Sequence, residues 1–193
     1  MGNKNCYANI IGGCEGSISR EHYISKSVLE IISKAALTLS GAHWQNNGEE
    51  ANLTISTLTA KVLCEKHNRL LSPIDEDAHN FLKTAFTCIR GGIQGQVDVS
   101  DLMFNHNGRD IERWLLKIAC GAIASGNWGG KHRVVPKEWV EILFSQKEWP
   151  HDFSLYSSEM TAYTVSDKNH IRCDFRRDHS DYILQGITFV FMC

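Results

Sequence analysis

Cys6, Cys14, Cys64 and His67 are residues of the types that bind zinc, and they fall in two pairs. Cys64-x-x-His67 has the tight spacing of two ligands on one turn. Cys6 and Cys14, set wider than a usual knuckle, can supply the other pair. Together they compose a Cys₃His set, a normal tetrahedral complement for structural Zn²⁺. The chain has seven cysteines, an odd number. With no export signal the compartment is expected to be reducing, and clustered cysteines then read as metal ligands rather than disulfides. Cys88 and Cys120 lie in apolar helical patterns and Cys173 in a strand pattern, the usage of small buried hydrophobes. Between the two pairs comes Glu21-His22, and Asn68 follows His67 directly. Taken alone, Glu21-His22 also reads as a solvated turn or a helix cap, and Asn68 as an Asx turn or C-cap.

The order of these elements is Cys6…Cys14, then Glu21-His22, then Leu63-Cys64-x-x-His67-Asn68. In that order they resemble the HNH, or His-metal-finger, nucleases over about residues 6–80. The resemblance implies a β-hairpin and helix folded round one catalytic metal (the ββα-metal core), stapled here by a separate Zn²⁺. It implies that His22 is the general base and that Glu21 and Asn68 hold a catalytic Mg²⁺ or Mn²⁺. It also implies an asparagine that holds the His22 loop, for which Asn52 leads and Asn46 and Asn47 compete. The chemistry is consistent. A histidine titrating near pH 6.5 can take a proton from water near neutral pH. A hard divalent ion on a carboxylate and an amide oxygen can neutralise phosphate charge. Adjacent strand residues point to opposite faces, so a bend or bulge must aim Glu21 and His22 at one phosphate.

The positioning elements follow from periodicity. Ile24, Val28, Leu29, Ile31 and Ile32 predict a short amphipathic helix after Ser25. Residues 40–54 are polar and suit a loop with a hairpin, and Leu58 to Leu63 suits a strand. Asp75, Glu76 and Asp77 open a helix whose face is Ala78, Phe81, Leu82, Ala85, Phe86 and Ile89. Gly91-Gly92-Ile93-Gln94-Gly95-Gln96 reads as a hinge. Beyond it, Asn107 caps a helix to about Ser125, with Ile111, Trp114, Leu115, Ile118, Ala119, Ala122 and Ile123 on one face. Pro136 suits a first helical position, and Ile171-Cys173-Phe175 and Tyr182 to Cys193 are strands. The fold class expected is α+β. A zinc-stapled ββα-metal, HNH-like module occupies residues 1–90. A small α+β accessory module occupies 97–193, with Trp114, Leu115, Ile118, Trp139, Leu143, Phe144 and Phe175 in a core of its own.

Composition sets the outer limits. With 42% hydrophobic and 22% charged residues the chain is globular rather than disordered. Its net charge of −2 excludes a generally basic coat, so nucleic acid must meet a local patch. Lys131-His132-Arg133 and Arg172, Arg176 and Arg177 are the basic groups that could touch phosphates. No apolar run reaches the ~18 residues of a membrane span, and a cytoplasmic setting is expected. The partner implied is nucleic acid, DNA by resemblance, with a protein partner or a second copy through 97–193. The alternative is a zinc-stapled module that binds nucleic acid or protein without cleaving it.

Overall fold

The computed structural model describes residues 3–32, 36–40, 45–46, 49–93, 105–126, 133–151, 170–178 and 181–190. After a 3₁₀ turn (Tyr7–Ile11) come β1 (Ile18–His22), α1 (Lys26–Ile32), β2 (Ala36–Ser40), β3 (Glu50–Thr54) and β4 (Thr59–Cys64). Then follow α2 (Glu65–Leu70), α3 (Ser72–Ile93), α4 (Gly108–Ser125), α5 (Lys137–Leu143), β5 (His170–Asp178) and β6 (Asp181–Val190). The class is α+β, as expected. Strands β1 and β4 form an antiparallel pair, and β3-β2-β5-β6 form a second sheet. β4 runs directly into α2, so a strand pair followed by a helix stands where the ββα core was expected. No described helix is long and apolar enough to cross a membrane.

Local signals place most elements. Asn107 caps α4, its Oδ1 accepting the Arg109 N–H at 3.1 Å, and Gly126 ends the helix in the left-handed region. Pro73 lies in the first turn of α3, where its missing N–H costs nothing. The polar stretch after residue 40 is the connection of a true hairpin, β2 with β3. Helix α3 continues through Gly91, Gly92 and Ile93, so the expected hinge is helical as far as Ile93. Residues 94–96 lie outside the described residues.

The expected division into 1–90 and 97–193 does not match the packing. Helix α4 is the reason, because it buries two stripes instead of one. Ile111, Trp114, Ile118 and Ala122 join Tyr23, Ile24, Val28, Leu29, Leu37 and Leu58 in one core. Leu116 and Cys120 join Cys6, Ala8, Leu63, Leu71, Val140 and Leu143 in another. Leu115 is only partly buried and packs on the first core, and Trp139 and Phe144 pack on the second. Strand β5 pairs in parallel with β2, tying the C-terminal strands to the first half as well. The side chain of Phe175 lies outside the described residues. A helix apolar on most of its circumference belongs inside a fold; α4 fills that place and shares its cores with residues before 90.

Gly121 marks the closest approach of α4 to the N-terminal half. A Cβ there would stand 2.6 Å from Tyr23 Cβ, an atom fixed to the backbone. Gly121→Ala would gain about 0.5–1 kcal/mol of helix propensity. Overpacking at about 1–3 kcal/mol outweighs that gain. The expected result is a net loss of up to about 2.5 kcal/mol, read as a lower urea midpoint at unchanged slope.

Candidate functional site

The four soft ligands converge. The turn at Tyr7–Ile11 and the loop after it carry Cys6 and Cys14. Cys64 ends β4 and His67 lies on the first turn of α2. Their ligand atoms lie within 4.8 Å of one another. His67 Nδ1 is 3.2 Å from Cys64 Sγ, 3.5 Å from Cys6 Sγ and 3.6 Å from Cys14 Sγ. A tetrahedral zinc with Zn–S near 2.3 Å and Zn–N near 2.0–2.1 Å sets sulfur and nitrogen about 3.5 Å apart. The donor set therefore fits a metal ion. Cys6, Cys64 and His67 are buried and Cys14 is half-buried, which leaves no open coordination face of the kind catalysis needs.

The surroundings favour ligation. The His67 imidazole also meets the Gly12 carbonyl, an outer bond that orients the ring and leaves Nδ1 for the metal. Burial, with Lys66 adding to it, lowers the His67 pKa, so the ring is neutral as a ligand must be. Burial raises Cys64, but the N–H groups of His67 and Glu15 and the neighbouring thiols outweigh it and hold that thiol below its ordinary value. Burial pushes Cys6 up to about 12, a thiol that stays protonated unless a metal takes the charge. Phe144, just past α5, stacks edge-on to His67 at 5.2 Å, so the ligand cluster sits inside the second core.

Glu21 and His22 are placed differently from each other. They pair consecutively with Ala60 and Thr59, and the register shift in β1 lies before them, between Ser19 and Glu21. Strand alternation therefore still sends the two side chains to opposite faces. The bulge does not aim them together. His22 is half-buried, and its ring meets the Ile55 carbonyl. Its Nε2 is closed to solvent and has no partner among the described residues. Burial lowers the His22 pKa. The ring is thus a neutral imidazole whose acceptor nitrogen has no partner but is closed to solvent, so water reaches it only if the ring or its cover moves. The Ile55 backbone holds it. Asn52 instead sits on β3, its Oδ1 accepting from Thr38 at 3.3 Å, and Asn46 bonds Glu49. Asn47 lies outside the described residues.

Glu21 is 5% exposed and forms a buried ion pair with Lys117 of α4 at 2.6 Å. The same ammonium donates to both carboxylate oxygens of Asp75, at 2.8 and 2.7 Å. Ser25 donates to Asp75, and Trp114 Nε1 donates to Ser25 at 2.7 Å. Burial raises the Glu21 pKa while Lys117 opposes it. As placed, Glu21 does not fit a catalytic divalent ion, because its cation is already Lys117. Asn68 is half-buried on α2, beside His67 of the candidate metal cluster, and its carbonyl accepts from Leu71 at 3.1 Å. Lys117 and Asp75 were not foreseen as partners of Glu21. The available signal was a lysine within the otherwise apolar run from Trp114 to Ala124 of α4.

Comparison with protein-family models, curated proteins and solved structures returns no match.

Proposed function

We propose that this chain is a zinc-stapled endonuclease that hydrolyses phosphodiester bonds in nucleic acid, with DNA the class the HNH resemblance favours. The observation that carries it is the join of two features. A Cys₃His cluster closes the base of a strand pair and helix. On β1 of that pair, His22 presents a neutral ring with Nε2 uncommitted. Zn²⁺ is the ion assigned to Cys6, Cys14, Cys64 and His67. Once uncovered, His22 Nε2 accepts a proton from water, the water oxygen bonds to phosphorus, the bond to the leaving oxygen breaks, and that oxygen takes a proton from solvent. The resemblance adds Mg²⁺ or Mn²⁺ on Glu21 and Asn68. With Glu21 committed to Lys117, no step is routed through that ion.

A plasmid-nicking assay, run with and without Mg²⁺ or Mn²⁺, tests the reading. His22→Ala should reduce nicking by about 10²–10⁴-fold, the usual loss of general-base help, while DNA still binds. Burial lowers the His22 pKa, so the base stays neutral further into acid. The acid limb of the rate profile is therefore expected below the ordinary histidine value of about 6.5. Equal nicking by the two proteins would remove His22 from the mechanism. The buried Glu21–Lys117 pair favours a second reading, a zinc-stapled module that binds nucleic acid without cleaving it. That reading expects retained DNA binding and no nicking in any metal.

A further inference from the structure

The β1–β4 pair leaves the outer edge of β4 without a strand neighbour among the described residues. Along that edge runs an open cleft of about 520 Å³. Its polar lining includes Lys4, Asn5, Thr59, Lys61, Ser125 and Arg133, and no described lining residue is acidic. Lys4, Lys61 and Arg133 are exposed, and none has a carboxylate partner among the described residues. Lys66, Lys137 and Lys147 each meet one, whereas Arg20, Arg69 and Lys83, also exposed, do not among the described residues, so it is the gathering of three at one opening that distinguishes the cleft. Three unpaired cations at one opening are a local exception in a chain of net charge −2.

Arg133 lies close to the end of α4. Gly126 lies at φ +69°, and a Cβ there would stand 2.4 Å from Arg133 Nε. The guanidinium therefore lies against the glycine that ends α4, a seat that other residues would fill. The cleft starts at Thr59, the residue paired with His22 across the strands. A chain lying along that outer edge is two strand spacings from β1, roughly 10 Å, with β4 between it and that histidine.

We infer that this cleft binds the phosphodiester backbone of nucleic acid, with Lys4, Lys61 and Arg133 as its phosphate contacts. Cations drawn from three separate segments suit a repeating anion. An extended peptide laddering onto β4 is disfavoured, because residues 4–7 and 124–125 wall the same edge. The inference deepens the nuclease reading by locating its substrate backbone, and it rests on the part of that reading that makes nucleic acid the ligand.

The test is fluorescence anisotropy with a labelled 20-base-pair DNA duplex, titrated between 50 and 200 mM KCl. Each phosphate contact contributes about 0.9 to the slope of log affinity against log salt. Lys61→Ala and Arg133→Ala should each weaken binding and lower that slope by about 0.9. The Lys4→Ala/Lys61→Ala/Arg133→Ala variant should lower it by about 2.7. Lys137→Ala, a surface lysine paired with Glu141, should leave it unchanged. Unchanged affinity and slope in a triple variant that keeps its far-ultraviolet spectrum and its zinc would overturn the cleft assignment, whatever the nicking activity. Binding of an acidic peptide such as polyglutamate with no binding of duplex DNA would overturn it too. Salt-dependent binding that the triple variant loses, in a wild type that never nicks, would support the cleft and remove the enzyme reading instead.

Discussion

Stripping zinc from the reduced protein with a strong chelator is expected to unfold it well beyond the ligand loops. Apparent binding free energies of structural zinc sites run to about 10–16 kcal/mol at pH 7. Whole domains are stable by only about 5–15 kcal/mol. The four ligands lie inside the core that includes Leu63, Leu71, Leu116, Val140 and Leu143. Without metal that core would hold Cys6, a thiol whose pKa burial pushes up to about 12, in close approach to two more cysteines and a histidine. Hydrogen exchange should therefore accelerate at residues 6–14 and 62–71 and also over α5, whose neighbour Phe144 stacks on His67. Cys64→Ser should reproduce the effect in the presence of zinc. Metal analysis is the check, at one zinc per chain in freshly purified protein. Protein free of zinc, with an exchange pattern indifferent to chelator, would mean that the cluster is four packed side chains and no more.

The ligand set was legible in sequence because its chemistry is carried by residue type. Cys64-x-x-His67 needs only one helical turn to close, and α2 supplies it. Elements with a single apolar stripe were legible too, as in α1 after Ser25. What failed was the reading of α4. Ile111, Trp114, Leu115, Ile118 and Ala122 do meet one core, but Ile123, expected on that face, packs on the other. In the fold a second stripe, Leu116 and Cys120, faces the other core. Periodicity within a helix reports how much of its surface is apolar, but not how many neighbours will cover it. The division at the glycine-rich stretch failed for the same reason. Glycine marks local permissiveness, whereas the contacts joining the halves, such as Trp114 to Ser25, span 89 residues. The role of Glu21 was obscured similarly, since the carboxylate was visible and its cation lay on a helix nearly a hundred residues away.

That cation gives the second large effect. Lys117→Ala is expected to cost about 3–5 kcal/mol, the usual result of removing one member of a buried charge pair. The cost falls mainly on Glu21, whose side chain is 6% exposed, because the Asp75 side chain at 24% can recover some hydration. The lost lysine stem adds a packing loss, since Lys117 lies between the two stripes of α4 with 1% of its surface exposed. Electrostatics and packing can be separated. Lys117→Met keeps most of the stem and loses the charge, so it should remain nearly as unstable as Lys117→Ala. Adding Glu21→Gln to Lys117→Met should then restore part of the loss, because the stranded carboxylate is gone. If Glu21→Gln changed stability by the same amount with Lys117 present as beside Lys117→Met, the two residues would be uncoupled and the buried pair would contribute nothing specific. Urea denaturation of the four proteins, holo and at one pH, measures the cycle. Coupling above about 1 kcal/mol would show that Glu21 is a structural anion, docking α4 onto the strand pair that carries His22.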